Sequence, residues 1–173
     1  MSSRRSSKVP KSSSSSSPKS AAQTYSARDA LGAYLEDPSS FPPSIVLSHT
    51  SATVTIRDAF PKATVHVLLL PRSQSKTLLH PFEAFSDAGF LEQVRVDAAA
   101  VKKVVAKELK RKLGGKGGTE LDWWWEKEIK VGVHAGPSMN HLHVHIVSRD
   151  GYSERVRKRV HYSQYPPLNS FRD

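Results

Sequence analysis

The sequence predicts an α+β domain: an antiparallel sheet built from hairpins, packed by one long helix and by a shorter helix near the N-terminus. Three observations carry that reading. Short runs rich in β-branched and aliphatic residues stand at Ile45–His49, Ala52–Arg57, Thr64–Leu70 and Glu128–His134, bounded by turn residues. Apolar residues recur at helical spacing between Leu78 and Leu113. The stretch Met139-Asn-His-Leu-His-Val-His-Ile-Val-Ser148 alternates imidazole and aliphatic side chains with a period of two.

The chain has 173 residues, enough for one compact domain. Residues 1–22 separate from the rest by composition. The first twenty hold five basic residues (Arg4, Arg5, Lys8, Lys11, Lys19), a serine run and no acid. So little apolar surface does not offset the entropy of ordering, and a disordered basic tail is expected. It reads as a nuclear-import signal or a DNA-contacting arm, which places the protein in the nucleus. Residues 23–173 form the domain. There is no cysteine, so neither a disulfide nor a cysteine-based zinc finger is expected here. No apolar run approaches the roughly 20 residues of a membrane span. The net charge of +10 biases the chain toward nucleic acid or another anionic surface.

Tyr25 to Glu36 reads as the short helix, with Ala27, Ala30, Leu31, Tyr34 and Leu35 on one side and Pro38 as its stop. Two strands follow around the polar turn Ser48–Ser51, then the loop Asp58-Ala-Phe-Pro-Lys62 and a third strand containing His66. The helix from Leu78 to Leu113 opens at His80-Pro81, has a candidate interruption at Gly89, and carries Val101, Val105, Leu109 and Leu113 at four-residue spacing. Its lysines at 102, 103, 107 and 110 read as a solubilising face. Gly114–Gly118 is a flexible break and lacks the GK[ST] ending of a phosphate-binding P-loop. Trp123, Trp124 and Trp125 are expected to anchor a loop over the core rather than to stack on bases. The strand Glu128–His134 should pair with the histidine strand through the turn-rich Ala135–Asn140, whose N–H groups and Ser138 hydroxyl are suited to a phosphate.

On a strand, His141, His143 and His145 share one face, with Leu142, Val144 and Ile146 on the other. Two chemistries compete for such a row. Residues i and i+4 lie about 13 Å apart along a strand, whereas zinc nitrogens must approach one ion to about 2.1 Å. A metal shared by all three is therefore unfavourable, and no metal or other cofactor is expected. Neutral imidazole is a good nucleophile near pH 7, and a covalent intermediate splits one displacement into two easier ones. A histidine-rich surface strand is the remaining alternative. His66 alternates with apolar neighbours and is a candidate supporting residue on the same face.

His-Leu-His-Val-His-Ile-Val resembles the histidine-triad (HIT) superfamily, and the longer run Lys130-Val-Gly-Val-His-Ala-Gly-Pro-Ser-Met-Asn-His141 is similar to its aprataxin branch. Arg57-Asp58-Ala-Phe-Pro-Lys62 and Leu68-Leu-Leu-Pro71 resemble that branch as well. The resemblance implies a HIT-like fold and removal of AMP from adenylated 5′ DNA ends left by abortive ligation, a step of single-strand break repair. It implies His143 as nucleophile, His134 as the acid for the leaving phosphate, and His145 and Ser138, next to Met139, at the phosphate oxygens. His141 would orient the nucleophile's surroundings, Asp58 would hold the ribose hydroxyls, and Lys62 would lie at the edge of the site. The early helix would wedge against the DNA end, with Ala27 standing where an aromatic is expected and Tyr25 as a substitute. Lys62 and the run Arg155–Arg159 would meet DNA phosphates. Members usually continue into a Cys₂His₂ finger, whereas this sequence stops at Asp173 after an apparent insertion, Gln164–Leu168. A finger-less form or a fragment, monomeric and with AMP as product, is the expectation. A general nucleotide phosphoramidate or dinucleotide hydrolase and a non-catalytic nucleic-acid-binding module are the alternatives.

Overall fold

The computed structural model describes residues 26–114, 122–151 and 166–171. Helix α1 spans Gly32–Glu36, and strands β1 to β3 span Val46–His49, Thr53–Arg57 and His66–Pro71. Helices α2 (Pro81–Ala84), α3 (Ala88–Leu113) and α4 (Asp122–Lys127) follow, then β4 (Ile129–Gly132) and β5 (Val144–Ser148). The five strands form one sheet in the order β1-β2-β3-β5-β4, antiparallel throughout. The α+β expectation therefore holds, and β4 and β5 form the expected hairpin.

Both faces of the sheet are covered. Helix α3 packs on one face with Val67, Leu69, Val144 and Ile146, burying its own Leu91, Val94, Ala98, Val105 and Leu109. The other face joins Val54, Ile56, Leu68 and Leu70 to Leu31 and the flanking Tyr34, Leu35 and Met139. Burial on two sides explains why β3 reads as a continuous apolar run and has all six residues buried.

Four local expectations are corrected. The early helix is regular only over Gly32–Glu36; residues 27–31 turn through i to i+3 bonds, Asp29 N to Ser26 O and Gly32 N to Asp29 O, at 2.9 and 2.8 Å. The long helix breaks at Phe85–Asp87 rather than at Gly89, because the Asp87 carboxylate accepts from Phe90 N at 3.0 Å and starts a new helix. The stripe on α3 shifts as well, since Leu113 is exposed while Val94 and Ala98 are buried. The tryptophans lie on α4, not on a loop, and only Trp125 is buried; Trp123 and Trp124 are 52% and 42% exposed. The N-terminal tail, Tyr25, most of Gly114–Gly118, Arg155–Arg159 and the first two residues of the Gln164–Leu168 insertion, Gln164 and Tyr165, lie outside the described residues.

Candidate active site

The histidine row is only partly a strand. β5 begins at Val144, because Leu142 N donates to Thr77 O at 2.6 Å and holds the preceding residues off the sheet. His145 is therefore on the strand, His143 immediately before it, and His141 in the approach. The single face predicted for all three imidazoles is corrected accordingly. His143 and His145 line a common cleft of about 570 Å³, and His141 does not. The charges felt by the His141 ring are those of Asp29 and Glu36, and burial lowers its pKa.

His141 still acts on its neighbour, through its backbone. His143 Nδ1 lies 2.7 Å from the His141 carbonyl oxygen. A carbonyl only accepts, so Nδ1 carries the proton and Nε2 keeps its lone pair. Burial pushes the His143 pKa down, against opposing pulls from that carbonyl and from Asp58. The ring is thus neutral near pH 7 and in the tautomer that attacks through Nε2.

The proton on His145 follows from a second chain of contacts. Lys62 N–H donates to His66 Nδ1 at 3.1 Å, which leaves the His66 proton on Nε2. That proton faces His145 Nδ1 at 2.9 Å and Asp58 Oδ2 at 3.3 Å. His145 accepts at Nδ1, so its Nε2 is the protonated nitrogen and a donor. Burial pushes His66 down to about 4, although Asp58 pulls the other way. His145 is driven well below the ordinary imidazole value, again chiefly by burial. Four imidazoles meet here, and burial holds three of them, His66, His143 and His145, neutral near pH 7: His145 lies 4.7 Å from His134, 4.9 Å from His143 and 5.1 Å from His66 between centroids.

Asp58, His66 and His145 bring three potential ligand atoms within 4.8 Å of one another. Two nitrogens on one tetrahedral zinc stand roughly 3.4 Å apart, each with its lone pair toward the metal. Here they stand at 2.9 Å, with a proton between them. The group is arranged to pass hydrogen bonds rather than to hold an ion.

Asp58, Lys62, His134, Ser138 and Met139 all line the cleft. One Asp58 oxygen accepts from Phe60 N at 2.7 Å and the other faces His66. This carboxylate thus shapes its own turn as well as the site. Much of the remaining lining is apolar, with Leu31, Tyr34, Ile56, Leu68, Met139, Ala27 and Ala30; Leu68 is the register partner of His145 on the sheet. Phe60, 61% exposed, stands at the rim.

One element had no signal in the sequence. Asn140 N donates to Arg28 O at 2.9 Å, and Asn140 Nδ2 donates to Asp29 Oδ1 at 2.6 Å. Ser26 Oγ donates to the same carboxylate at 2.5 Å. Asn140 thereby ties residues 26–31 to the loop before the histidines and makes that segment one wall of the cleft. Nothing in the pattern distinguishes this asparagine from a turn residue.

Comparison with known proteins adds to this geometry. Residues 34–161 match the family described as "Scavenger mRNA decapping enzyme C-term binding". The chain is 33% identical over 140 residues to an aprataxin-like protein of Schizosaccharomyces pombe, covering 80% of this chain and 58% of that protein. An aprataxin-like protein of Saccharomyces cerevisiae is 28% identical over 150 residues, covering 80% and 69%. Among solved structures, Hnt3 in complex with DNA and guanosine superposes with a TM-score of 0.73 at 30% identity, covering 83% of this chain and 75% of that one. The crystal structure of the aprataxin ortholog Hnt3 from S. pombe gives 0.71 at 30% identity, covering 83% and 72%.

Proposed function

Because this chain belongs to the family of the scavenger mRNA decapping enzyme C-terminal region and to the aprataxin-like histidine-triad proteins, we propose that it is a DNA 5′-adenylate hydrolase. The observation that carries the reading is the His143 tautomer. Its Nδ1–H is committed to the His141 carbonyl, so Nε2 is a neutral nucleophile inside a nucleotide-sized cleft.

In this reading the adenylate lies against Leu31, Tyr34, Ile56 and Leu68, and Asp58 accepts from the ribose hydroxyls. His143 Nε2 attacks the α-phosphorus of the AMP–DNA pyrophosphate. A P–N bond forms, the P–O bond to the DNA 5′-phosphate breaks, and His134 gives a proton to that leaving oxygen. Water then attacks the same phosphorus and returns a proton to His134, the P–N bond breaks, AMP leaves, and His143 returns to its neutral form. The His145 Nε2–H, the Ser138 hydroxyl and Lys62 offset charge on the phosphate oxygens. Adenylated 5′ ends as substrate, AMP as product, a monomer and a nuclear location belong to this proposal. The relatives' names support it, as does the guanosine and DNA named for the Hnt3 structure.

The test is single-turnover AMP release from a 5′-adenylated nicked duplex. The wild-type chain should release AMP and His143→Ala should be slower by about 10⁴-fold. A wild-type chain inert on the duplex but active on an adenosine phosphoramidate would be a small-nucleotide hydrolase instead.

A further inference from the structure

A second cleft lies on the face of the sheet opposite the histidines. The catalytic cleft is bounded by Ile56 and Leu68, whereas this one opens between α3 and β4, on the side where Val67, Leu69 and Ile129 pack. Its volume is about 600 Å³. Four cations line it, Arg95 and Lys102 from α3, Lys130 from β4 and Arg149 just beyond β5, and among the described residues no carboxylate does. Ala98, Ile129 and Val131 supply apolar walls. The C-terminal turn closes one end, because Arg95 Nη2 donates to the carbonyls of Leu168 and Phe171 at 3.2 and 2.6 Å.

Like charges gathered over low-dielectric walls repel one another and focus a positive potential. Glu92, outside the cleft, meets Arg95 at 3.4 Å and offsets part of that charge. Lys102 and Arg149 have no ion-pair partner among the described residues. The spacing of the cations indicates the anion. Arg95 and Lys102 are seven positions apart, on one face of α3, so their Cα atoms are separated by about 10 Å. A lone phosphate does not reach both ends of such a row, whereas successive phosphates of a nucleic-acid strand do.

We propose that this cleft is a second phosphate-backbone site, which grips a DNA strand away from the reacting end and without reading its bases. It rests on the proposed function only for the identity of that nucleic acid as DNA. A backbone grip here supplies affinity and salt dependence, not chemistry.

The test uses the full chain and a labelled, non-adenylated nicked duplex, so that binding is read apart from turnover. Lys102→Gln with Arg149→Gln should raise the dissociation constant on the order of tenfold and lower the log–log salt slope by about two. Lys102→Glu with Arg149→Glu should do more. Hydrolysis of an adenosine phosphoramidate should stay at the wild-type level in both. A charge-matched pair on α3 outside the cleft, Lys103→Gln with Lys107→Gln, should change affinity less than about threefold. Unchanged affinity and slope in the first pair, or equal losses in the two glutamine pairs, would overturn the proposal. A chain that loses DNA through the first pair yet releases no AMP from an adenylated duplex would leave this site standing and remove the hydrolase reading.

Discussion

His66 Nε2 faces His145 Nδ1 across 2.9 Å, and this contact decides which nitrogen of His145 carries its proton. With His66 replaced by asparagine, His145 is free to move its proton to Nδ1 and present a lone pair to the phosphate. The first prediction is a fall in single-turnover rate of about 10²-fold for His66→Asn, with little change in substrate affinity. A rate within threefold of wild type would show that His145 keeps its tautomer by other means.

The same residue makes stability depend on pH. In the unfolded chain its imidazole takes a proton near 6.5, but in the folded protein only at about 4. Between those values the unfolded state binds more protons, so stability is complete above about 6.5 and declines as pH falls toward 4. The loss from this group is roughly 3 kcal/mol. His143 and His145 are lowered by burial too and act in the same direction. Urea midpoints at pH 7.5 and 5 check the point: His66→Asn should lose distinctly less stability over that interval than wild type.

Asn140 positions one wall of the cleft without touching the histidine chemistry. Asn140→Ala removes its side-chain bond to Asp29 and leaves its backbone bond to Arg28. We expect KM for the adenylated duplex to rise about fivefold, with kcat nearly unchanged. Steady-state kinetics decide it; an equal fall in kcat would place this residue in the chemical step.

The three tryptophans should separate cleanly. Trp125 is buried in the α3-side core, so Trp125→Ala should cost about 3–5 kcal/mol. Trp123 and Trp124 are largely exposed, and alanine at either should cost about 1 kcal/mol or less. Denaturant titration of the three single variants measures the difference.

Where the sequence was legible, a repeating physical constraint stood behind it. The alternation of His143 and His145 with Leu142, Val144 and Ile146 reports a surface with one polar and one apolar side, whereas the continuous apolar run of β3 reports a strand covered on both faces. Periodicity does not mark where a strand begins, and His141 shows this: the bond from Leu142 N to Thr77 O connects positions 65 residues apart, and it ends the pleat early. Asn140 was illegible for the same reason, since its partners Arg28 and Asp29 lie over a hundred positions away. Capping could have been read, because Asp87 stands three residues before Phe90 in the manner of a helix start. The resemblance to aprataxins named the residues of the cleft; the structure added the hydrogen bonds that decide where their protons reside.

β4 is an edge strand, and an open edge invites a further strand. Here Val133 N donates to Pro166 O at 3.2 Å, and Gly132 bridges Pro167. A second copy seeking to extend the sheet past this point must first peel that segment away. If it adds outside the segment instead, it meets two consecutive residues with no N–H to give. Pro166 and Pro167, within what looks in the sequence like an insertion, thus leave this edge of the sheet a poor template for a further strand, on the side where the nucleophile is carried.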